Sequence, residues 1–213
     1  VINNNAIGQI SLITGGFNAE YGRIMSGVVN VITKRGTRNY EANFEYMTDA
    51  VSSDWIKTHA YGNTIYNASV SGPLIPERDR ILFFASGERR ETDDAFPRST
   101  AEGKLPHNDT DGWNWQAKIT LDVTGAVKLE MGTLGSAQTS NLYVHSFKYN
   151  LSHAPKFESN NNSAYVRTTH TINPRAFYKL AVNYFYTERY AGDGMHFKDL
   201  PGYGREIPET QTD

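Results

Sequence analysis

Around residues 40–46 apolar and polar side chains alternate one for one: Tyr40, Ala42, Phe44 and Tyr46 fall on one side of an extended chain, and Glu41, Asn43 and Glu45 on the other. A period of two marks a strand with unlike faces. The pattern returns at 66–71, 113–122, 127–131 and 177–186, where Tyr178, Leu180, Val182, Tyr184 and Tyr186 line one side. Weaker versions at 81–89, apolar on both sides at its start, and at 164–172 bring the expected number of strands to about seven. The predicted fold class is all-β and antiparallel.

The connections alternate too. Residues 73–79, 123–126 and 173–175 are short, whereas 49–63, 92–109 and 137–162 are long and polar. After an odd number of strands the chain should emerge on the long-connection side, and Gly192, Asp193, Gly194, Pro201, Gly202 and Gly204 there read as loop. A soluble sandwich also alternates. Two features favour a transmembrane β-barrel instead. Several strands reach about ten residues, the length a tilted spanning strand needs, where soluble strands cluster near five or six. Short turns opposite long loops are the pattern of outer-membrane barrels.

Placement of charge agrees with this. Glu41, Glu45, Lys118, Asp122, Lys128, Glu130 and Lys179 all lie opposite the aromatic and aliphatic side of their strands. A Lys or Arg facing lipid at mid-bilayer costs about 2–4 kcal/mol, so these seven are expected to face a lumen. Glu41 and Glu45 are candidates to meet whatever fills it. No run approaches the ~18 apolar residues of a spanning helix. Thirteen Tyr, ten Phe and three Trp supply instead the aromatic residues that border barrel walls.

Composition mainly excludes. Lys plus Arg at 21 against Asp plus Glu at 23 leaves no basic footprint for nucleic acid. The absence of cysteine removes disulfides and thiolate metal sites. Residues 1–5 have none of the features of a signal peptide. No nucleophile elbow, phosphate-binding loop, zinc-helix motif or dinucleotide fingerprint occurs, and the six histidines are scattered. The acidic stretch 108–112 lacks the distal Glu of a calcium loop. Catalytic residues, metal ligands and cofactors are therefore not expected, and neither is an enzyme.

Residues 1–36 differ from the rest, with a strand at 9–14, a glycine-rich turn, a second strand at 28–33 and a polar hinge at 34–38. The run Gly15, Gly16, Phe17, Asn18, Ala19, Glu20, Tyr21, Gly22, Arg23, followed by Ser26, Gly27, Val28, Val29, Asn30, Val31, Ile32, Thr33, Lys34, resembles the end of the plug domain in TonB-dependent outer-membrane transporters. Val70-Ser71-Gly72-Pro73-Leu74-Ile75-Pro76 with Arg80 to Ser86, and Thr169 to Tyr178, are similar to the subgroup carrying a carboxypeptidase-like N-terminal module. Thr14-Gly15 replaces the Arg-Gly pair of many siderophore-type members, which removes one plug-to-barrel contact of that group.

The resemblance implies an internal fragment in which 1–36 is the C-terminal part of a plug and 37–213 the N-terminal part of the barrel. Gly15, Gly16, Tyr21, Gly22, Arg23, Gly27, Asn30, Thr33 and Lys34 are then the plug motif. Its glycines are expected to allow positive φ and close packing, and Asn30 to meet a wet lumen. The implied function is import of a large or scarce solute across the bacterial outer membrane. Its partners would be membrane lipid, that unknown solute, and TonB through an upstream segment absent here. A surface binding or adhesion protein that displays long loops is the alternative.

Overall fold

The computed structural model describes residues 3–15, 27–51, 59–76, 78–98, 103–199 and 201. Two antiparallel sheets account for it. β1 (Ile7–Ile13) pairs with β2 (Val28–Thr33) as a two-stranded ribbon after a single 3-10 turn at Asn4–Ala6. The second sheet is a seven-stranded meander, each strand beside its sequence neighbour: β3 (Glu41–Thr48), β4 (Thr64–Ile75), β5 (Arg78–Thr92), β6 (Thr110–Thr124), β7 (Val127–Asn141), β8 (Pro155–Asn173) and β9 (Ala176–Asp193). β3 and β9 are its two edges, so the sheet is open.

The alternating segments all lie in strands, but the strands run further than the alternation does. β8 spans 19 residues, and β7 pairs with it out to Asn141 and Lys156. The connection expected at 137–162 therefore shrinks to 142–154, which holds two 3-10 turns. Pro73 stays inside β4 opposite Leu82, next to a register shift that relieves the missing amide donor. The tight connection falls later, after Ile75, which pairs with Arg78.

Register decides the faces. Glu45, Asn67, Glu88, Asn114, Ser136, Asn161 and Thr187 stand side by side in one row across the sheet. Tyr46, Tyr66, Arg89 and Trp113 form the next row on the other face. Among the described residues thirteen polar or charged side chains are buried, against four apolar ones, Ala6, Phe84, Leu105 and Ala154. Ten of those thirteen sit on the Glu45–Thr187 face of the sheet. The opposite face leaves Phe44, Trp113, Leu180, Val182 and Tyr184 exposed. The sheet thus hides its polar side and presents its apolar side, the reverse of a water-soluble sandwich.

At the end bearing the long connections, hydrogen bonds lace one loop to the next. The Tyr61 carbonyl accepts from the Asp93 and Asp94 amides, each at 3.1 Å. Asp94, 1% exposed, accepts from the Leu105 amide at 2.9 Å and from Asn108 Nδ2 at 2.6 Å. Asn108 Oδ1 in turn accepts from the Tyr143 amide at 3.4 Å. The stretch 108–112 is accordingly a loop-to-strand junction held from inside.

Candidate functional site: the polar face and its N-terminal ribbon

Strand alternation sends Lys118 and Glu130 to the same face from adjacent strands, and burial removes both from water. An isolated ammonium there would be costly, so it must find partners. Lys118 Nζ donates to Thr33 Oγ1 at 2.6 Å and to the Thr33 carbonyl at 3.1 Å, and lies 3.9 Å from Glu130. Glu130 also has Arg35 at 3.6 Å and Arg167 at 3.8 Å, and accepts from the Tyr165 hydroxyl at 3.3 Å. One carboxylate is thus shared by three cations from three separate parts of the chain. Thr33 and Arg35 belong to the end of the ribbon, so the cluster fastens the ribbon to the sheet.

Further fastenings surround it. Asn3 and Asn67 exchange reciprocal amide hydrogen bonds of 2.8 and 3.0 Å. Asn5 Nδ2 donates to Glu45 at 2.9 Å, and Thr37 shares a 2.9 Å hydroxyl contact with Ser71. At Gly36 the backbone leading out of the ribbon passes close against the backbone of the sheet. A Cβ there would stand 2.6 Å from both the nitrogen and the carbonyl oxygen of Phe83. Beside Lys118, the buried Ser86 hydroxyl, both Gln116 amide atoms and the Thr120 hydroxyl have no hydrogen-bond partner among the described residues. Among the described residues, the side-chain hydrogen bonds and ion pairs above join the N-terminal segment to the polar face, which also holds buried groups without a partner.

All seven charges expected on one face are there, though they do not form one site. Glu45, Lys118 and Glu130 touch the ribbon or its end. Glu41 lines, with Lys34 and Arg35, an open recess of about 380 Å³. Asp122 and Lys128 pair with each other at 3.8 Å beside the tight-turn end. Lys179 lies over the Phe177 ring at 5.7 Å on the edge strand.

In the ribbon, Asn30 is half-buried opposite Ser11, and the Lys34 amide donates to the Ala6 carbonyl at 2.8 Å. Gly15 and Gly27 do not take the positive φ expected of them. A Cβ on Gly15 would meet nothing within 4 Å, whereas one on Gly27 would approach the Ile13 carbonyl to 3.3 Å. The forced close approach falls at Gly36 instead, where the chain crosses β5. Gly16, Tyr21, Gly22 and Arg23 lie outside the described residues.

Arg35, Tyr165, Arg167 and the asparagines at 3, 5 and 67 were not singled out in the sequence. Parity within β8 could have placed Tyr165 and Arg167 beside Glu130. Nothing local marks Asn3 or Asn5, whose partners lie 64 and 40 residues away.

Comparison with protein-family models, with curated proteins and with solved structures finds no match for this chain.

Proposed function

We propose that this chain is part of an active transporter of the bacterial outer membrane. The meander is one side of a lipid-spanning barrel, and the ribbon is part of a plug within its lumen. The observation that carries this is the inverted sheet: polar groups buried on one face, apolar groups exposed on the other.

The dimensions agree. From Trp113 to Val123 the apolar face of β6 bears no charge, and the same holds for Val127 to Thr139 on β7 and Tyr178 to Tyr186 on β9. About eleven residues at ~3.3 Å each, tilted by about 40°, stand about 25 Å tall, the height of the apolar band of such barrels. Where the band ends toward the long connections, Tyr46 and Tyr66 rings lie 5.2 Å apart and Arg89 sits 4.9 Å over Trp113, close to Glu91 and Asp111. Aromatic rings followed by charge are what a membrane–water boundary favours.

Import accounts for the contact between ribbon and face better than display does. A contact made of polar groups, several of them unpaired, exposes little apolar surface when it parts, and water then satisfies both sides. A plug that must leave its wall needs such a seam. Energy would come through TonB, as the plug-like motif implies, and the solute would be large or scarce.

A strain in which the complete protein supports growth on its solute tests this. Deleting TonB should abolish uptake as fully as deleting this gene. Uptake unchanged without TonB would sink active transport and leave a barrel that displays its loops.

A further inference from the structure

One row of the polar face carries a guanidinium at each flank and only neutral positions between. In register from β5 to β9 it runs Arg90, Gly112, Gln138, Ser159 and Arg189. Four strand intervals of about 4.8 Å set the two arginines roughly 19 Å apart along the sheet. Two adjoining grooves, of about 300 and 690 Å³, lie on this row; Arg90 lines the first, Arg189 the second, and Phe96 and Gln138 line both. Gly112, having no side chain, keeps the floor of the first groove low beside Arg90.

The charges favour an anion. Among the described residues Arg189 makes no ion pair, and Arg90 has one, with Glu88 at 3.6 Å. The carboxylate bordering the second groove, Glu158, belongs to the opposite face by register and is held by Lys198 at 2.6 Å.

The remaining groups specify what bears the anion. Backbone amides and carbonyls along the floor are consumed by the strand ladders, so no free edge is offered to a peptide, which binds sheets by adding a strand. What can read a ligand is side-chain carboxamide and hydroxyl, at Gln138, Ser159 and Asn161. Gln138 Nε2 already donates to Ser140 at 3.0 Å, and its oxygen can accept. Asn161 Nδ2 donates to Ser136 at 3.1 Å, and its Oδ1 accepts from Thr187 at 2.6 Å with a second acceptor site left over. Phe96, 65% exposed, lines both grooves, the second together with all three.

We propose that these grooves bind an acidic oligosaccharide. Its carboxylate or sulfate groups pair with Arg90 and Arg189, its hydroxyls meet Gln138, Ser159 and Asn161, and a sugar ring lies against Phe96. Guanidinium forks suit such oxyanions by bidentate geometry. The assignment rests on the polar face lining the lumen of an importer.

The complete protein, purified in detergent, is titrated calorimetrically with a four-unit uronate oligosaccharide, a neutral oligosaccharide of the same linkage, and tetraglutamate. The uronate should bind at least about ten-fold tighter than either. Arg189→Gln and Arg90→Gln should each weaken uronate binding about ten-fold, leave the neutral sugar unaffected and flatten the salt dependence. Phe96→Ala should weaken both sugars, and Lys148→Gln, outside the grooves, should change neither. Tetraglutamate binding as tightly as uronate, or unchanged uronate affinity in Arg189→Gln, overturns the proposal. Because the titration needs no TonB, TonB-independent uptake with uronate binding intact would overturn active transport alone. TonB-dependent uptake without uronate binding would overturn the ligand alone.

Discussion

Lys118 gives two hydrogen bonds to Thr33, at 2.6 Å to the hydroxyl and 3.1 Å to the carbonyl, across 85 residues of sequence. The amine is 95% removed from solvent, and Glu130 is its nearest counter-charge at 3.9 Å. Neither atom of the bond could leave without stranding the other, unless water enters. The end of the ribbon is thereby tied to the wall by a contact that is firm while dry and replaceable when wet.

Removing the shared carboxylate should hurt more than removing one of its cations. Glu130→Gln leaves Lys118, Arg35 and Arg167 facing one another, and should cost about 2–3 kcal/mol, since an unpaired buried charge is the expensive outcome. Thr33→Val deletes one neutral acceptor and should cost about 1 kcal/mol. Urea midpoints of the complete protein in detergent, followed by tryptophan fluorescence, give the order; the reverse order would contradict the shared-carboxylate arrangement.

This chain has no cysteine, so in a complete protein with any cysteine elsewhere replaced the N-terminal segment can be tethered selectively. Asn3→Cys with Asn67→Cys, joined by a short bis-methanethiosulfonate that forms a disulfide with each thiol and releases sulfinate, should stop uptake, and reduction should restore it. Uptake undiminished in the cross-linked protein would mean that residue 3 need not leave the wall.

Adjacent residues on β9 separate the two faces. Val182→Lys places a charge on the apolar side and should cost about 2–4 kcal/mol of folding stability in lipid vesicles, whereas Asn183→Lys, on the polar side, should cost less than about 1 kcal/mol. Equal costs in a urea titration would remove lipid from the picture.

Gly36→Ala should be among the most damaging single-methyl changes, because its Cβ would meet the Phe83 backbone rather than a side chain that can swing aside. A loss of about 1–3 kcal/mol is expected, from overpacking. Gly15→Ala, with open space around it, should be nearly neutral by the same unfolding measurement.

With β3 and β9 each lacking a second neighbour among the described residues, the chain on its own should not form a stable species. Open edges leave backbone groups unsatisfied in lipid and invite pairing between chains in water. Size-exclusion chromatography should show aggregates; a monodisperse fragment that melts cooperatively in water would refute this.

What the sequence determined by itself was every contrast between faces. Trp113 to Asp122 reads as a strand with Lys118 and Asp122 on the side opposite the tryptophans, because a period of two is written in neighbouring residues and needs no partner to be seen. The turn at Gly125 and Ala126 was equally local. Only tertiary structure settled where β7 ends and β8 begins, since Ser159, Asn160, Asn161 and Asn162 are polar on both sides and carry no contrast for alternation to reveal. The same holds for the buried Asp94–Asn108 pair, the crossing at Gly36, and the meeting of Thr33 and Arg35 with Lys118 and Glu130. Each depends on how a distant segment is laid across the sheet, and register fixes that distance while the order of residues along the chain does not.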